Sequence, residues 1–275
     1  MNYKELDFLE PDAEKREILV AYLGDIGFET FEESEEGLKA YIPENNFDNN
    51  TFEEEVVGKF QSLSYAVSTI QQQNWNEVWE KNFEPIQVGE VYIRAPFHPQ
   101  KAGVKYELVI EPKMSFGTGH HSTTSLMIME MLKTGFRDRT VLDMGCGTSL
   151  LAILASKLGA KNILAIDIDD WAVENSIENC TRNHVSNIEV QKGDAALLKD
   201  KRFDVILANI NRNVLLADMG SYASSLNPGG QILLSGFYEG DVEVIRKCAE
   251  QNGLIFSGTD ALNQWSVMCF LINGK

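Results

Sequence analysis

The run Val141-Leu142-Asp143-Met144-Gly145-Cys146-Gly147 constrains the fold more than any other stretch of this 275-residue chain. It reads as a short buried strand that breaks on glycines just before an amphipathic helix expected over Ser149 to Leu158. A strand turning directly into a helix is the repeating step of a parallel α/β sheet. Glycines lack Cβ atoms, so backbone N–H groups and the positive helix end can approach a polar ligand closely. A second strand-like run, Asn162-Ile163-Leu164-Ala165-Ile166, delivers Asp167, an acid placed to hold two ribose hydroxyls. Gly145, Gly147 and Asp167 together point to a nucleoside-containing cofactor.

The details of the turn choose between cofactors. A dinucleotide fingerprint requires G-x-G-x-x-G, but counting from Gly145 and Gly147 the third glycine would fall at Leu150. An NAD-dependent oxidoreductase is therefore disfavoured. Asp143 inside the strand would repel a pyrophosphate, whereas it suits a cationic amino group such as that of S-adenosyl-L-methionine. The pattern VLDMGCGTS followed by an apolar helix resembles the first motif of Rossmann-like methyltransferases.

From Thr140 onward, strands and helices alternate: strands at Val141 to Asp143, Ile163 to Asp167, Ile188 to Gln191, Phe203 to Ala208 and Gln231 to Ser235, with helices between them at Ser149 to Leu158, Trp171 to Asn183 and Val214 to Leu226. Alternation of this kind predicts a doubly wound, mostly parallel sheet. A helix around Val242 to Gln251 is followed by two strands, Leu254 to Gly258 and Trp265 to Ile272, with no helix between them. That final pair predicts one antiparallel strand, which the resemblance to Rossmann-like methyltransferases implies and a dehydrogenase fold would not.

The first 72 residues carry a different order. Leu6 and Phe8 predict a strand, Pro11 and Asp12 open a helix through Ile18, Leu19, Tyr22, Leu23 and Ile26, and Phe28 to Glu33 and Leu38 to Ile42 flank a turn at Glu36-Gly37. Thr51 with Glu54 has the capping-box pattern for a helix through Phe52, Val56, Val57 and Phe60, and a strand from Tyr65 to Gln71 completes a βαββαβ ferredoxin-like α+β domain. Residues 73–88, with Trp75, Val78, Trp79 and Phe83 on one apolar face, read as a connector helix and linker to the cofactor domain at 89–275, whose first strand candidates are Val91 to Ala95 and Tyr106 to Ile110.

The net charge is −17, and residues 1–60 hold 17 acidic against 5 basic side chains. Such a domain repels phosphate backbones, so direct nucleic-acid binding is not expected; it either steers in a basic partner or serves as a solubilising surface. Cys146, Cys180, Cys248 and Cys269 are widely spaced and suit reduced thiols better than disulfides or zinc. No apolar run reaches the roughly 20 residues of a membrane helix, and the N-terminal residues lack the basic and apolar regions of a signal peptide, so a cytoplasmic location away from membranes is expected.

Two further segments carry chemistry. Phe116-Gly117-Thr118-Gly119-His120-His121-Ser122-Thr123-Thr124 is a glycine turn leading into a helix, where hydroxyls and imidazoles either cap backbone donors or contact a ligand. His121 is expected to line the methionine end of the cofactor. Adjacent imidazoles diverge and no Cys or acid stands at ligand spacing, so no metal site is assigned. After the strand at Phe203 to Ala208, Asn209 should face the same crevice as Gly145 and Asp167. Its carbonyl can accept an N–H from an amine, although a structural turn asparagine also fits. The proline-rich continuation used by amino-methyltransferases of bases is missing from Asn209-Ile210-Asn211.

The runs EPKMSFGTGHHSTT from Glu111, VLDMGCGTSLLAILASKLGA from Val141, AIDIDDWAVENSIEN from Ala165 and VILANI from Val205 resemble the PrmA family of bacterial ribosomal protein L11 methyltransferases. The resemblance covers the catalytic half and reaches back to Trp75, Trp79 and Phe83-Glu84-Pro85-Ile86. It implies cofactor contacts at Thr124, Gly145, Asp167 and Asn209, to which the reading of the residues adds Asp143, Gly147, His121 and the turn residues Phe116, Gly117 and Thr118, with Asn209 also orienting the amine. It further implies methylation of lysine ε-amines and an α-amine of a basic ribosomal protein, docked by the acidic N-terminal domain of a monomer. Transfer to another protein, an RNA base or a small metabolite, and a non-catalytic ribosomal-protein adaptor, are the alternatives. Ser149 stands where the family usually has a glycine, and Ser115 where it often has alanine; a hydroxyl at the helix start is expected to tighten or reshape the methionine pocket.

Overall fold

The computed structural model describes residues 2–60, 63–70, 84–112 and 119–274, and the chain divides into two units, 1–82 and 83–275. The expected connector helix, with Trp75, Val78, Trp79 and Phe83, lies outside the described residues.

The first unit contains β1 (Tyr3–Leu9), α1 (Ala13–Asp25), β2 (Thr30–Glu33), β3 (Gly37–Pro43), α2 (Asn49–Phe52, widened to a π-type turn over Glu53–Val57) and β4 (Ser64–Ile70). The sheet order is β2-β3-β1-β4, all antiparallel, as in a ferredoxin-like sandwich. Period-two alternation decides which side is buried. Leu6, Phe8, Leu38, Ala40 and Ile42 face Leu19, Leu23, Phe52 and Val56 from the helices, while Glu5, Asp7, Lys39 and Tyr41 occupy the other face. The core is closed by aromatic rings, with Phe52 edge-on to Tyr65 at 5.1 Å.

Asp12 caps α1 by accepting the N–H groups of Glu14 and Lys15. The cap of α2 differs from the expected Thr51–Glu54 box. Asp48 accepts the Asn50 N–H, and Thr51, already inside the helix, donates its hydroxyl to Asp48 at 2.8 Å. An aspartate three residues upstream is the better cap and starts the helix one turn earlier.

The second unit opens with a small sheet in the order β5 (Ile86–Val88), β6 (Val91–Arg94), β7 (Tyr106–Val109), followed by α3 (Ser122–Lys133). β5 lies in residues the sequence reading left to the linker, because three residues give no measurable period. The large sheet then comprises β8 (Thr140–Met144), α4 (Leu150–Lys157), β9 (Asn162–Asp167), α5 (Asp170–Arg182), β10 (Ile188–Lys192), β11 (Phe203–Asn209), α6 (Arg212–Ser224), β12 (Leu226–Tyr238), α7 (Val242–Gln251), β13 (Leu254–Leu262) and β14 (Trp265–Ile272). Leu226, expected to end a helix, instead begins β12.

The strand order is β10-β9-β8-β11-β12-β14-β13, and β14 runs opposite to the other six strands. The expectation of a mostly parallel sheet with one reversed strand is met. Alternate side chains feed two cores: Val141, Ile163, Ala165, Val205 and Leu207 pack toward α3 and α4, whereas Leu142, Leu164, Ile166, Ile206 and Ala208 pack toward α6 and α7. Burial on both faces explains why these strands read as continuous apolar runs. The winding reverses between β8 and β11, and a crevice at the carboxyl ends of such strands is the usual ligand position.

Candidate active site

A cavity of about 620 Å³ opens at that reversal. Asp143, Gly145 and Gly147 reach it from the end of β8, Asp167 from β9, Asn209 from β11, and His121 and Thr124 from the start of α3. Seven residues predicted from four separate stretches of sequence therefore share one wall. Phe116, Gly117 and Thr118 lie outside the described residues, as does Ser115.

The glycine turn is tied down by hydrogen bonds that run sideways into β9. The N–H groups of Gly145 and Cys146 both donate to the Ile166 carbonyl, at 2.8 and 3.0 Å. Gly147 N–H donates to Asp167 Oδ2 at 2.8 Å, while Asp169 N–H donates to Oδ1 at 3.1 Å. Asp167 thus shapes the turn as well as facing the cavity. Gly145 has φ +68°, and a Cβ there would stand 2.2 Å from Ile210 Cγ2. Across the cavity Gly236, at φ +96°, leaves equally little room beside the Ile210 carbonyl oxygen, 2.2 Å from where its Cβ would be. Both positions require the missing side chain.

Asp143 is 1% exposed. Its Oδ2 accepts the Ala152 N–H at 2.9 Å. Loss of solvation pushes its pKa up to about 7; the Ala152 bond opposes that rise and the negative charge of Asp167 adds to it. The neighbouring Cys146 thiol is raised to about 12 by burial, so it is not a nucleophile at neutral pH. Five aspartates line the cavity, Asp143, Asp167, Asp169, Asp194 and Asp218, and among the described residues no lysine or arginine does. A cavity with that lining selects for positive charge.

His121 caps α3: its Nδ1 accepts the Thr123 N–H at 3.3 Å and lies 2.8 Å from Thr123 Oγ1. Its ring meets Trp265 edge-on at 4.6 Å, and Trp265 in turn stacks on Tyr238 at 4.0 Å. His120 turns away, with Nε2 at 3.0 Å from the Glu84 carbonyl. The side chain of Asn209 lines the cavity and has no hydrogen-bond partner among the described residues.

Ser149 is fully buried with φ +58°, and its hydroxyl donates to Ser176 on α5 at 2.9 Å, so it meets the turn from beneath rather than lining the cavity. Residues the sequence reading missed include Trp265, Ile168, Trp171 and Asp194, all lining the cavity. Asp194 had a signal, since an acid two residues past β10 caps the next turn by accepting the Ala196 N–H at 2.8 Å. Trp265 had none, because only the pairing of β14 with β12 brings it to the site.

The family model for ribosomal protein L11 methyltransferase (PrmA) matches residues 12–272 of the chain. The chain belongs to the PrmA family. The ribosomal protein L11 methyltransferase of Phocaeicola vulgatus is 45% identical over 99% of this chain and 100% of its own length. That of Porphyromonas gingivalis is 48% identical over 92% of this chain and 90% of its own. Among solved structures, ribosomal protein L11 methylase from Lactobacillus delbrueckii subsp. bulgaricus superposes with a TM-score of 0.66 at 27% identity, covering 70% of this chain and all of that one. A methyltransferase from Pyrococcus furiosus, 18% identical with a TM-score of 0.51 over 60% of this chain and 89% of its own, shares the fold. The large sheet is therefore that of the class I methyltransferases, and the cavity opens at the carboxyl ends of its parallel strands.

Proposed function

We propose that this chain transfers methyl groups from S-adenosyl-L-methionine to lysine ε-amines and the N-terminal α-amine of ribosomal protein L11, acting as a cytoplasmic monomer. The observation that carries this reading is the one cavity in which a glycine turn, five aspartates and the side chain of Asn209 meet, with no lysine or arginine among the described residues that line it. The residues fit a sulfonium nucleoside: Gly145 leaves room that a Cβ would fill, and the acidic lining suits a cation. Asp143 would hold its ammonium group and Asp167 its ribose hydroxyls, with Gly147, His121 and Thr124 completing the wall. Bound there, the cofactor supplies an activated methyl group.

The chain's own residues do the rest. An attacking nitrogen must be neutral, and a free lysine has a pKa of about 10.4. Desolvation in the crevice, together with the positive charge a bound sulfonium would bring, lowers that value against the opposing pull of the aspartates, and the proton leaves to water before displacement. Asn209 accepts one amine N–H and so aims the lone pair, which makes positioning the main source of acceleration. The excess of acids in residues 1–60 favours a basic protein over RNA as the acceptor.

Transfer of labelled methyl groups into purified ribosomal protein L11, against free RNA and small metabolites, tests the acceptor. Label in RNA or metabolites but not in the protein would overturn it. Asn209→Ala should lower kcat by roughly tenfold to a hundredfold while leaving the cofactor Kd nearly unchanged. A loss confined to cofactor affinity would remove its amine-orienting role.

A further inference from the structure

α5 packs on the sheet through a face that is polar where a core helix is ordinarily apolar. Asn175, Ser176 and Asn179 are fully buried, and Asn183, just past the helix end, is 6% exposed. Asn175 Oδ1 accepts from Asn179 Nδ2 at 3.2 Å, and Ser176, Asn179 and Asn183 are matched to backbone atoms from two separate segments.

The first segment is the cofactor turn. Ser176 Oγ donates to the Gly147 carbonyl at 2.7 Å, and the hydroxyl of Ser149 donates to Ser176 in turn. Asn179 Nδ2 donates to the next carbonyl, that of Thr148, at 3.1 Å. Gly147 and Thr148 both line the cavity.

The second segment is the free edge of the small sheet, which lies outside the cavity lining. Asn183 both donates to the Val109 carbonyl, at 2.7 Å, and accepts the Val109 N–H, at 2.9 Å. Asn179 Oδ1 accepts the Glu111 N–H at 2.9 Å, and Arg182 pairs with the Glu111 carboxylate at 2.9 Å. The spacing makes this possible: residues four apart on a helix advance about 6 Å, close to the roughly 6.7 Å between alternate residues of a strand. Two asparagine amides one turn apart can therefore serve the edge as a neighbouring strand would.

Asn179 is the residue common to both sets. Its amide nitrogen holds the turn and its amide oxygen holds the sheet edge, so neither can shift without disturbing the other. We propose that Ser176 and Asn179 are positioning residues of the cofactor turn, and that Asn179 couples the filling of the cavity to the order of Val109–Glu111. The inference rests on the cavity being the S-adenosyl-L-methionine site.

The test uses the full-length protein with S-adenosylhomocysteine as the probe, read by calorimetry and by amide hydrogen exchange. Adding the probe to the wild type should slow exchange at Val109 and Glu111. Asn179→Ala should raise the Kd about tenfold, the cost of leaving buried backbone groups unpaired, and exchange at those two amides should no longer respond to the probe. Ser176→Ala, which removes one hydroxyl and serves if the asparagine variant does not fold, should raise the Kd about fivefold, with Ser176→Thr restoring it. Folded variants with wild-type affinity would overturn the inference, as would an undiminished response at Val109 and Glu111 in Asn179→Ala. A wild type that binds no S-adenosylhomocysteine would overturn the cofactor reading along with it, whereas tight wild-type binding with indifferent variants would sink the coupling alone.

Discussion

The two units use carboxylates in opposite ways. In the first, Glu5 and Asp7 stand on the open face of a four-stranded sheet, each 3.7 Å from Lys39, and Glu32 accepts the Tyr41 hydroxyl in solvent. In the second, Asp143 is sealed beneath a helix and Asp167 has both oxygens engaged by backbone N–H groups. Solvated charges act together, at long range, and weaken with salt. Buried ones act singly, on whatever occupies the space they face. The first arrangement suits drawing in a partner of opposite charge, and the second suits gripping one small molecule.

The largest expected effect comes from removing the first unit altogether. A chain beginning at Phe83 should keep its cofactor affinity and lose methylation of ribosomal protein L11, as read by calorimetry and labelled methyl transfer. In the intact protein, raising the salt should weaken KM for that acceptor far more than it weakens cofactor binding. Methylation that survives truncation would mean that the outward acids only keep the chain in solution.

Next in size is a pH effect confined to the second unit. Asp143 has its folded pKa raised to about 7 by burial, against about 3.9 for an unfolded aspartate. Between those values the folded state holds a proton that the unfolded state has released, so stability without cofactor should fall as pH rises from about 4 to 7. Asp143→Asn should abolish this slope and gain up to about 4 kcal/mol at pH 8, measured by urea unfolding of the cofactor-free protein. The same variant should bind cofactor more weakly. An unchanged slope would place the titrating group elsewhere.

Much of this contrast was legible in the sequence, for physical reasons. The apolar strands around Leu142, Leu164 and Ile206 alternate between two cores, and that double burial writes itself into continuous runs. The turn from Gly145 to Gly147 was legible because only glycine tolerates such close approach. What local pattern could not show was partnership across the chain. Gly236 matters because of the Ile210 carbonyl, Trp265 because of strand pairing, and Asn179 because its amide meets two segments distant in sequence. Asp48 was overlooked for a different reason: the Thr51–Glu54 pattern imitated a cap one turn too late.

Asp167→Ala should cost roughly 1.5 to 3 kcal/mol of cofactor affinity, the range for hydrogen bonds to a charged group. Because Asp167 also accepts the Gly147 and Asp169 N–H groups, a second consequence follows. Asp167→Asn, which keeps one acceptor oxygen, should recover part of the loss. Equal losses in the two variants would show that the charge matters and the shape of the turn does not.

The smallest effect sharpens the comparison most directly, because it sets two serines in the two environments side by side. Ser149 is buried with φ +58° and donates to Ser176 at 2.9 Å, while Ser68 donates in solvent to Glu5 at 3.3 Å. Ser149→Ala retains the left-handed backbone and deletes the bond, so it should destabilise by about 1 kcal/mol. Ser149→Gly deletes the same bond but relieves a backbone cost of about 1 kcal/mol, leaving stability close to that of the wild type. Ser68→Ala should change stability by no more than about 0.5 kcal/mol in either direction. Thermal unfolding of the three variants reads this order. If Ser149→Gly were as damaging as Ser149→Ala, the hydroxyl would outweigh the backbone, and the buried chain from Ser149 through Ser176 to Gly147 would be the dominant restraint on the turn.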